Sequence, residues 1–293
     1  MESTKWEAWI KSISYWILVI VLAILLAFTL RLFFFASFKV PTPSMEPAIV
    51  SGDFVLVNKM IPGARIFKNF DFLSDNSVPD LWRVKGIRKV RRNDVLVFNF
   101  PYSEWGKMAM DMNTYYVKRC VGIPGDTFYI EDGVYKVTGW DVPLGNYENQ
   151  LKLSRLDQQD FDSGLWNCFP YDKENFQWTM KNFGPFYIPR AGERISLDTL
   201  SVKLYKNLIE YETGSKMKVG SGKVYLADSV LEHYEFKQNY YFMAGDYIFD
   251  SQDSRYWGLL PEDHIVGKAS LIWKSEDPYT AKKRWERFFM KVK

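Results

Sequence analysis

The chain has 293 residues, of which 47% are hydrophobic and 25% charged, with 18 Gly and 13 Pro. That composition excludes a disordered or collagenous chain and leaves room for one large or two modest domains. Two cysteines, Cys120 and Cys168, are too few for a disulfide scaffold or a Cys-built zinc site, and a net charge of +3 is too small a footprint for a nucleic-acid binder.

In chain order the first element is Ser12–Leu30, 19 residues without a charge, followed by more apolar residues past Arg31. It is apolar on every face and longer than the apolar core of a cleaved leader, so residues 1–37 are expected to form an uncleaved membrane anchor. Lys5 and Lys11 before it are matched by Arg31 and Lys39 after it, so charge sets no orientation.

Beyond Phe38 the pattern changes to short runs rich in Val, Ile, Tyr and Phe: Asp53–Val57, Val95–Phe100, Tyr115–Val121, Phe128–Ile130, Tyr240–Ala244 and Ile265–Trp273. These are predicted strands, with Asp132-Gly133 turning a hairpin into Val134–Val137. One soluble helix is expected where Asp198 caps Leu200, Leu204, Leu208 and Ile209 ahead of Gly214. It falls in a polar interval, 139–238, expected as a mixed α/β subdomain inserted between two parts of a β core, 38–138 and 239–274. The fold class is therefore mainly β behind a transmembrane helix. Residues 275–293 are basic, and Trp285, Phe288, Phe289 and Val292 recur at helical spacing. They predict an amphipathic helix, either on an anionic membrane surface or packed on the same protein.

Three segments carry chemistry. In Phe38–Ile49, prolines on both sides of Ser44 preclude a helix and hold its hydroxyl on a stiff loop. In Tyr115–Asp126, a strand running into a Gly-Ile-Pro-Gly turn offers Lys118 to apolar surroundings. An unperturbed lysine, with a pKa of about 10.4, is protonated near neutrality, but burial brings the pKa down and makes it a general base. In Gly245–Gly258, alternating Asp, Ser and Arg suit a loop braced by side-chain hydrogen bonds and carboxylate–guanidinium pairs. The two histidines, His233 and His264, sit in segments without other catalytic character, which argues against a Ser-His-Asp triad and against a metal-dependent hydrolase. A Ser-x-x-Lys arrangement fails because position 47 is Pro.

Behind an N-terminal anchor, these three segments in this order resemble bacterial type I signal peptidase. Pro-Thr-Pro-Ser-Met-Glu-Pro with Gly52–Lys59 resembles the family's nucleophile region. Tyr116–Asp126 resembles its lysine region, and Gly245–Gly258 with Val266-Gly-Lys-Ala269 its C-terminal box; the similar regions cover 93 of the 293 residues. The resemblance implies a serine endopeptidase without metal or cofactor. Ser44 would be the nucleophile, Lys118 the general base, and Thr42 with the Ser44 N–H the oxyanion hole. Ser251 would orient Lys118, and Arg119 with Asp246 and Asp253 with Arg255 would brace the site. Phe38, Val40, Met45, Ile49, Val55, Val97, Tyr116 and Val117 would line pockets for small residues at the first and third positions before the cut. The implied partners are signal peptides of exported preproteins, the lipid bilayer and the export machinery. The implied location is the cytoplasmic membrane, crossed once, with the catalytic body on the extracytoplasmic side. Thr42 and Pro43 stand where the family more often has Ser and Gly, Tyr247 where it often has Asn, and Cys120 where it often has Ala; both cysteines are expected to be reduced. Two competing functions are a non-catalytic membrane-anchored module that binds peptides in the same groove, and a self-cleaving Ser/Lys regulator.

Overall fold

In a computed structural model, residues 2–71, 78–102, 104, 106–161 and 163–293 are described. An α-helix, Glu2–Thr29, passes into a π-helical turn, Leu30–Phe34. Its apolar span, Trp9–Phe34, is 26 residues long. At about 1.5 Å per residue such a helix exceeds the roughly 30 Å of a bilayer core. The anchor ends earlier than expected, because Phe35–Lys39 is already a strand.

That strand begins an antiparallel sheet. In spatial order its members are Phe35–Lys39, Asp53–Asn58, Ile265–Ser275, Val95–Phe100, Asp111–Gly122, Tyr240–Ala244 and Leu260–Pro261. The expected strands are all present, and the lysine strand begins four residues earlier than its apolar run. Alternation along Val95–Phe100 sends side chains to opposite faces. Leu96 and Phe98 join a large core with Cys120, Phe128, Phe183, Phe186, Leu208, Phe236 and Phe242. Val95 and Val97 join a smaller one with Val40, Met45, Ile49, Val55, Val57 and Ile272. Each such side chain, fully buried, contributes about 1.5–3 kcal/mol.

The interval 139–238 supplies much of the larger core. Its strand Phe183–Tyr187 pairs with Thr127–Glu131, whose other edge forms the expected hairpin with Val134–Val137. The expected soluble helix runs Ser201–Thr213, and Asp198 accepts hydrogen bonds from the Leu200 and Ser201 N–H groups (3.0 and 2.6 Å). Cys120 and Cys168 are both buried free thiols.

The tail corrects the expectation of an amphipathic helix. It forms a 3-10 turn, Trp285–Arg287, and then a short strand, Met290–Lys291, paired with Leu271 and Ile272. The helical spacing of its apolar residues is overridden by sheet hydrogen bonds and by burial of Val292 on the smaller core. Trp285 and Phe289 stay exposed.

Candidate active site

Ser44 lies on the loop joining Phe35–Lys39 to Asp53–Asn58. The loop is closed at its base by Val40 N–H to Asp53 O and Gly52 N–H to Val40 O, both 2.8 Å. Inside it, Glu46 N–H donates to Pro43 O (2.8 Å) and Ile49 N–H to Met45 O (3.0 Å), coiling residues 43–49 into a turn. Met45 and Ile49 are fully buried and pin that turn to the smaller core. The Ser44 hydroxyl is thereby fixed at the top of the turn, where only 7% of the residue is exposed.

Lys118 projects from the strand Asp111–Gly122, opposite Leu96 in register. Its Nζ donates to Ser44 Oγ at 2.6 Å, and only 4% of the residue is exposed. Burial disfavours the ammonium and is the largest influence on its pKa. The Asp253 carboxylate opposes that influence, the Arg255 guanidinium adds to it, and the net result is a pKa pushed down to about 8. A lysine so placed is partly neutral just above physiological pH and is aimed at a hydroxyl it can deprotonate. Thr42 Oγ1 lies 3.4 Å from Ser44 Oγ. Among the described residues, no acceptor takes the Ser44 backbone N–H.

The segment 245–258 folds around Asp253. This carboxylate accepts from Gly245 N–H (2.9 Å), Ser251 Oγ (2.8 Å) and Arg255 Nε and Nη2 (both 2.8 Å). Burial alone would raise the Asp253 carboxyl; the Arg255 guanidinium and these hydrogen bonds overcome that and hold it below its ordinary range. The resemblance implies a bond from Ser251 to Lys118; in the structure the Ser251 hydroxyl donates to Asp253, and its contact with the lysine runs through that carboxylate's charge. Arg119 forms a forked pair with Asp246 (2.6 and 2.5 Å). Gly245 was not singled out from the sequence. A Cβ there would lie 2.1 Å from Ser251 Oγ and 2.6 Å from Ser44 O, so only glycine lets the third segment approach the serine loop.

A cavity of about 370 Å³ opens beside Ser44. Of the eight residues expected to line it, Phe38, Val40, Val97, Tyr116 and Val117 do. Met45, Ile49 and Val55 do not: all three are fully buried in the smaller core behind the cleft wall. Apolar residues that shape a pocket and those that support it look alike in sequence. Thr114, Tyr115, Asp250 and Gln252 also line the cavity; the last three fall in the segments the sequence singles out, but nothing in their spacing marks them individually as lining residues. The walls are two sheet edges. Among the described residues, Phe35–Lys39 is paired only on its Asp53–Asn58 side, and the lysine strand is paired to Tyr240–Ala244 only from Arg119 onward. Phe38 and Tyr115 bring their rings to 4.9 Å across the gap.

The family model described as signal peptidase, peptidase S26, matches residues 13–274. The chain belongs to this family. Among curated relatives, it is 25% identical over 265 residues to signal peptidase I of Buchnera aphidicola subsp. Schizaphis graminum, across 85% of this chain and 71% of that one. It is 28% identical over 260 residues to signal peptidase I of Pseudomonas fluorescens, covering 84% and 67%. With signal peptidase I of Haemophilus influenzae the figures are 26% over 294 residues, covering 91% and 72%. A crystal structure of a signal peptidase I from Enterococcus faecalis covers 62% of this chain and 98% of its own, at 16% identity and a TM-score of 0.29. The superposition is too loose to transfer structural detail. As a member of the S26 signal peptidases, the chain is a serine hydrolase that cleaves signal peptides, and its N-terminal helix is consistent with a membrane anchor.

Proposed function

We propose that Ser44 and Lys118 form the catalytic dyad with which this S26 peptidase cuts signal peptides after small residues at the first and third positions. The observation that carries the reading is the 2.6 Å contact between the buried Lys118 Nζ and Ser44 Oγ. Neutral Lys118 takes the hydroxyl proton as Ser44 Oγ attacks the scissile carbonyl carbon. The oxyanion accepts from the free Ser44 N–H and from Thr42 Oγ1, donors aimed at charge that exists only in the transition state. As the C–N bond breaks, the Lys118 ammonium protonates the departing amine, which is the new N-terminus of the exported protein. Lys118 then deprotonates a water that attacks the acyl-enzyme and frees Ser44.

Two further features support the reading. The open strand edges on both sides of the cleft suit an extended peptide held by main-chain hydrogen bonds. Its side chains would meet Phe38, Val40, Val97 and Val117, the apolar wall of the cavity beside Ser44. Ser44 follows the anchor's last helical residue, Phe34, by ten positions, so the cut would be made close to the membrane surface and on the side to which proteins are exported.

The test uses the full-length protein in detergent with a peptide bearing an Ala-x-Ala site, and mass spectrometry of the products. A single cut after the second Ala, abolished in Ser44→Ala and when Val or Phe replaces either Ala, is expected. Cleavage that tolerates Phe at both positions would remove the pocket assignment, and cleavage by Ser44→Ala would remove the nucleophile.

A further inference from the structure

We infer that residues 275–293 form a strap that positions Ser44, with Arg287 as its positioning residue. The inference rests on the reading of Ser44 as nucleophile. The strap follows the last residue that the family model matches, 274, and none of it lines the cleft.

The strap fastens the return arm of the serine loop at successive points. Glu276 N–H donates to Gly52 O at 3.2 Å, and the two backbones touch so closely that a Cβ on Gly52 would lie 1.9 Å from Glu276 O. Arg284, held by Asp277 (2.9 Å), donates through Nη1 to Ser51 O at 2.8 Å. Arg287 forks onto Asp53, with Nε to Oδ1 at 3.0 Å and Nη2 to Oδ2 at 2.6 Å, and its Nη2 also reaches Ala48 O at 3.2 Å. Asp53 is fully buried and its Oδ2 accepts the Val50 N–H (2.9 Å), so Arg287 grips the arm both directly and through Asp53. Farther along, Val292 packs into the smaller core that carries Met45 and Ile49. The Lys293 main-chain oxygen accepts from Arg119 Nη2 (2.9 Å), the nitrogen that together with Nε also holds Asp246.

The carbonyls of Ala48, Ser51 and Gly52 are thus all taken by the strap, while Ser44 O is held from the opposite side by Tyr247 N–H at 3.1 Å. The turn carrying Ser44 is fixed between two clamps. A displacement of about 1 Å in such a nucleophile costs on the order of 100-fold in rate. Arg287 and Asp53 lie 234 positions apart, and nothing local in sequence couples them.

The test compares full-length wild type, Arg287→Lys and the double variant Asp53→Asn/Arg287→Met, which leaves no unpaired buried charge. Ala-x-Ala peptide cleavage is followed well below each protein's own unfolding midpoint. The double variant is expected to lose roughly 10–100-fold in kcat with KM changed by less than about two-fold. The pH midpoint of activity should stay that of wild type, because the lysine is untouched, and Arg287→Lys should recover part of the loss. A kcat in the double variant within about two-fold of wild type overturns the strap, as does a loss that disappears when rates are divided by the folded fraction from urea unfolding. Ser44→Ala is assayed alongside. If it still cleaves, the nucleophile reading fails and takes the strap with it; if it is dead while the Arg287 variants match wild type, the strap alone fails.

Discussion

Gly245 and Ser251 approach so closely that a single methyl group between them would sit 2.1 Å from the serine hydroxyl, and the same methyl would meet Ser44 O at 2.6 Å. The third segment therefore reaches the serine loop through a position that tolerates no side chain. Gly245→Ala is expected to fold with a displaced loop and to lose on the order of 100-fold in kcat. Steady-state kinetics at a temperature where the variant is folded checks this, and near-normal kcat would mean the loop relaxes at no cost.

Asp253 and Arg255 are both fully buried and paired in a fork, and the Gly245 N–H and the Ser251 hydroxyl share the carboxylate. Removing one member leaves the other as an uncompensated buried charge. Asp253→Asn should destabilise the protein by about 3–5 kcal/mol, against less than about 1 kcal/mol for loss of the exposed Lys68–Asp80 pair through Asp80→Asn. Urea unfolding of the two variants side by side measures the contrast.

Thr42→Val removes the hydroxyl 3.4 Å from Ser44 Oγ and keeps the shape of the side chain. On the proposed reading that donor serves the transition state and not the bound substrate, so kcat should fall by about 10²–10³ with KM nearly constant. Thr42→Ser should restore most of the rate.

Lys118 links stability to pH in a direction set by its lowered pKa. In the unfolded chain it titrates near 10.5 and in the folded protein near 8. Between those values the unfolded chain holds a proton that the native state has released, so this group's contribution makes stability rise with pH across that window. Below pH 8 both states are charged, and the native state carries a penalty of about 3 kcal/mol. Lys118→Met should therefore be more stable than wild type at pH 7, less about 1 kcal/mol for the lost hydrogen bond, and the advantage should shrink by pH 10. Urea titrations at the two pH values report the difference.

Much of the fold is legible in the sequence because it rests on local pattern. Val95–Phe100 and Tyr240–Ala244 are bounded by the same residues in structure as in sequence, since β-branched and aromatic runs ended by turn residues have one reading. Phe35–Lys39 is hidden because its phenylalanines continue the apolar anchor without a break. The tail is misread because apolar spacing alone cannot weigh a helix against sheet pairing with Leu271 and Ile272. At the site, Ser44 and Lys118 stand out by their flanking residues. The role of Gly245 depends on its approach to Ser44, and that of Arg287 on its contact with Asp53, both far away in the chain, while the bond from Ser251 to Asp253 depends on side-chain geometry; none of these is written in spacing.

The central claim is that a buried lysine activates Ser44, and the rate of Ala-x-Ala peptide cleavage against pH tests it most directly. Under single-turnover conditions the rate should rise through an apparent pKa near 8, the value burial imposes on Lys118, and Lys118→Met should be inactive while still folded. A rate independent of pH across that range, a midpoint at the free-lysine value, or cleavage by folded Lys118→Met would contradict the account.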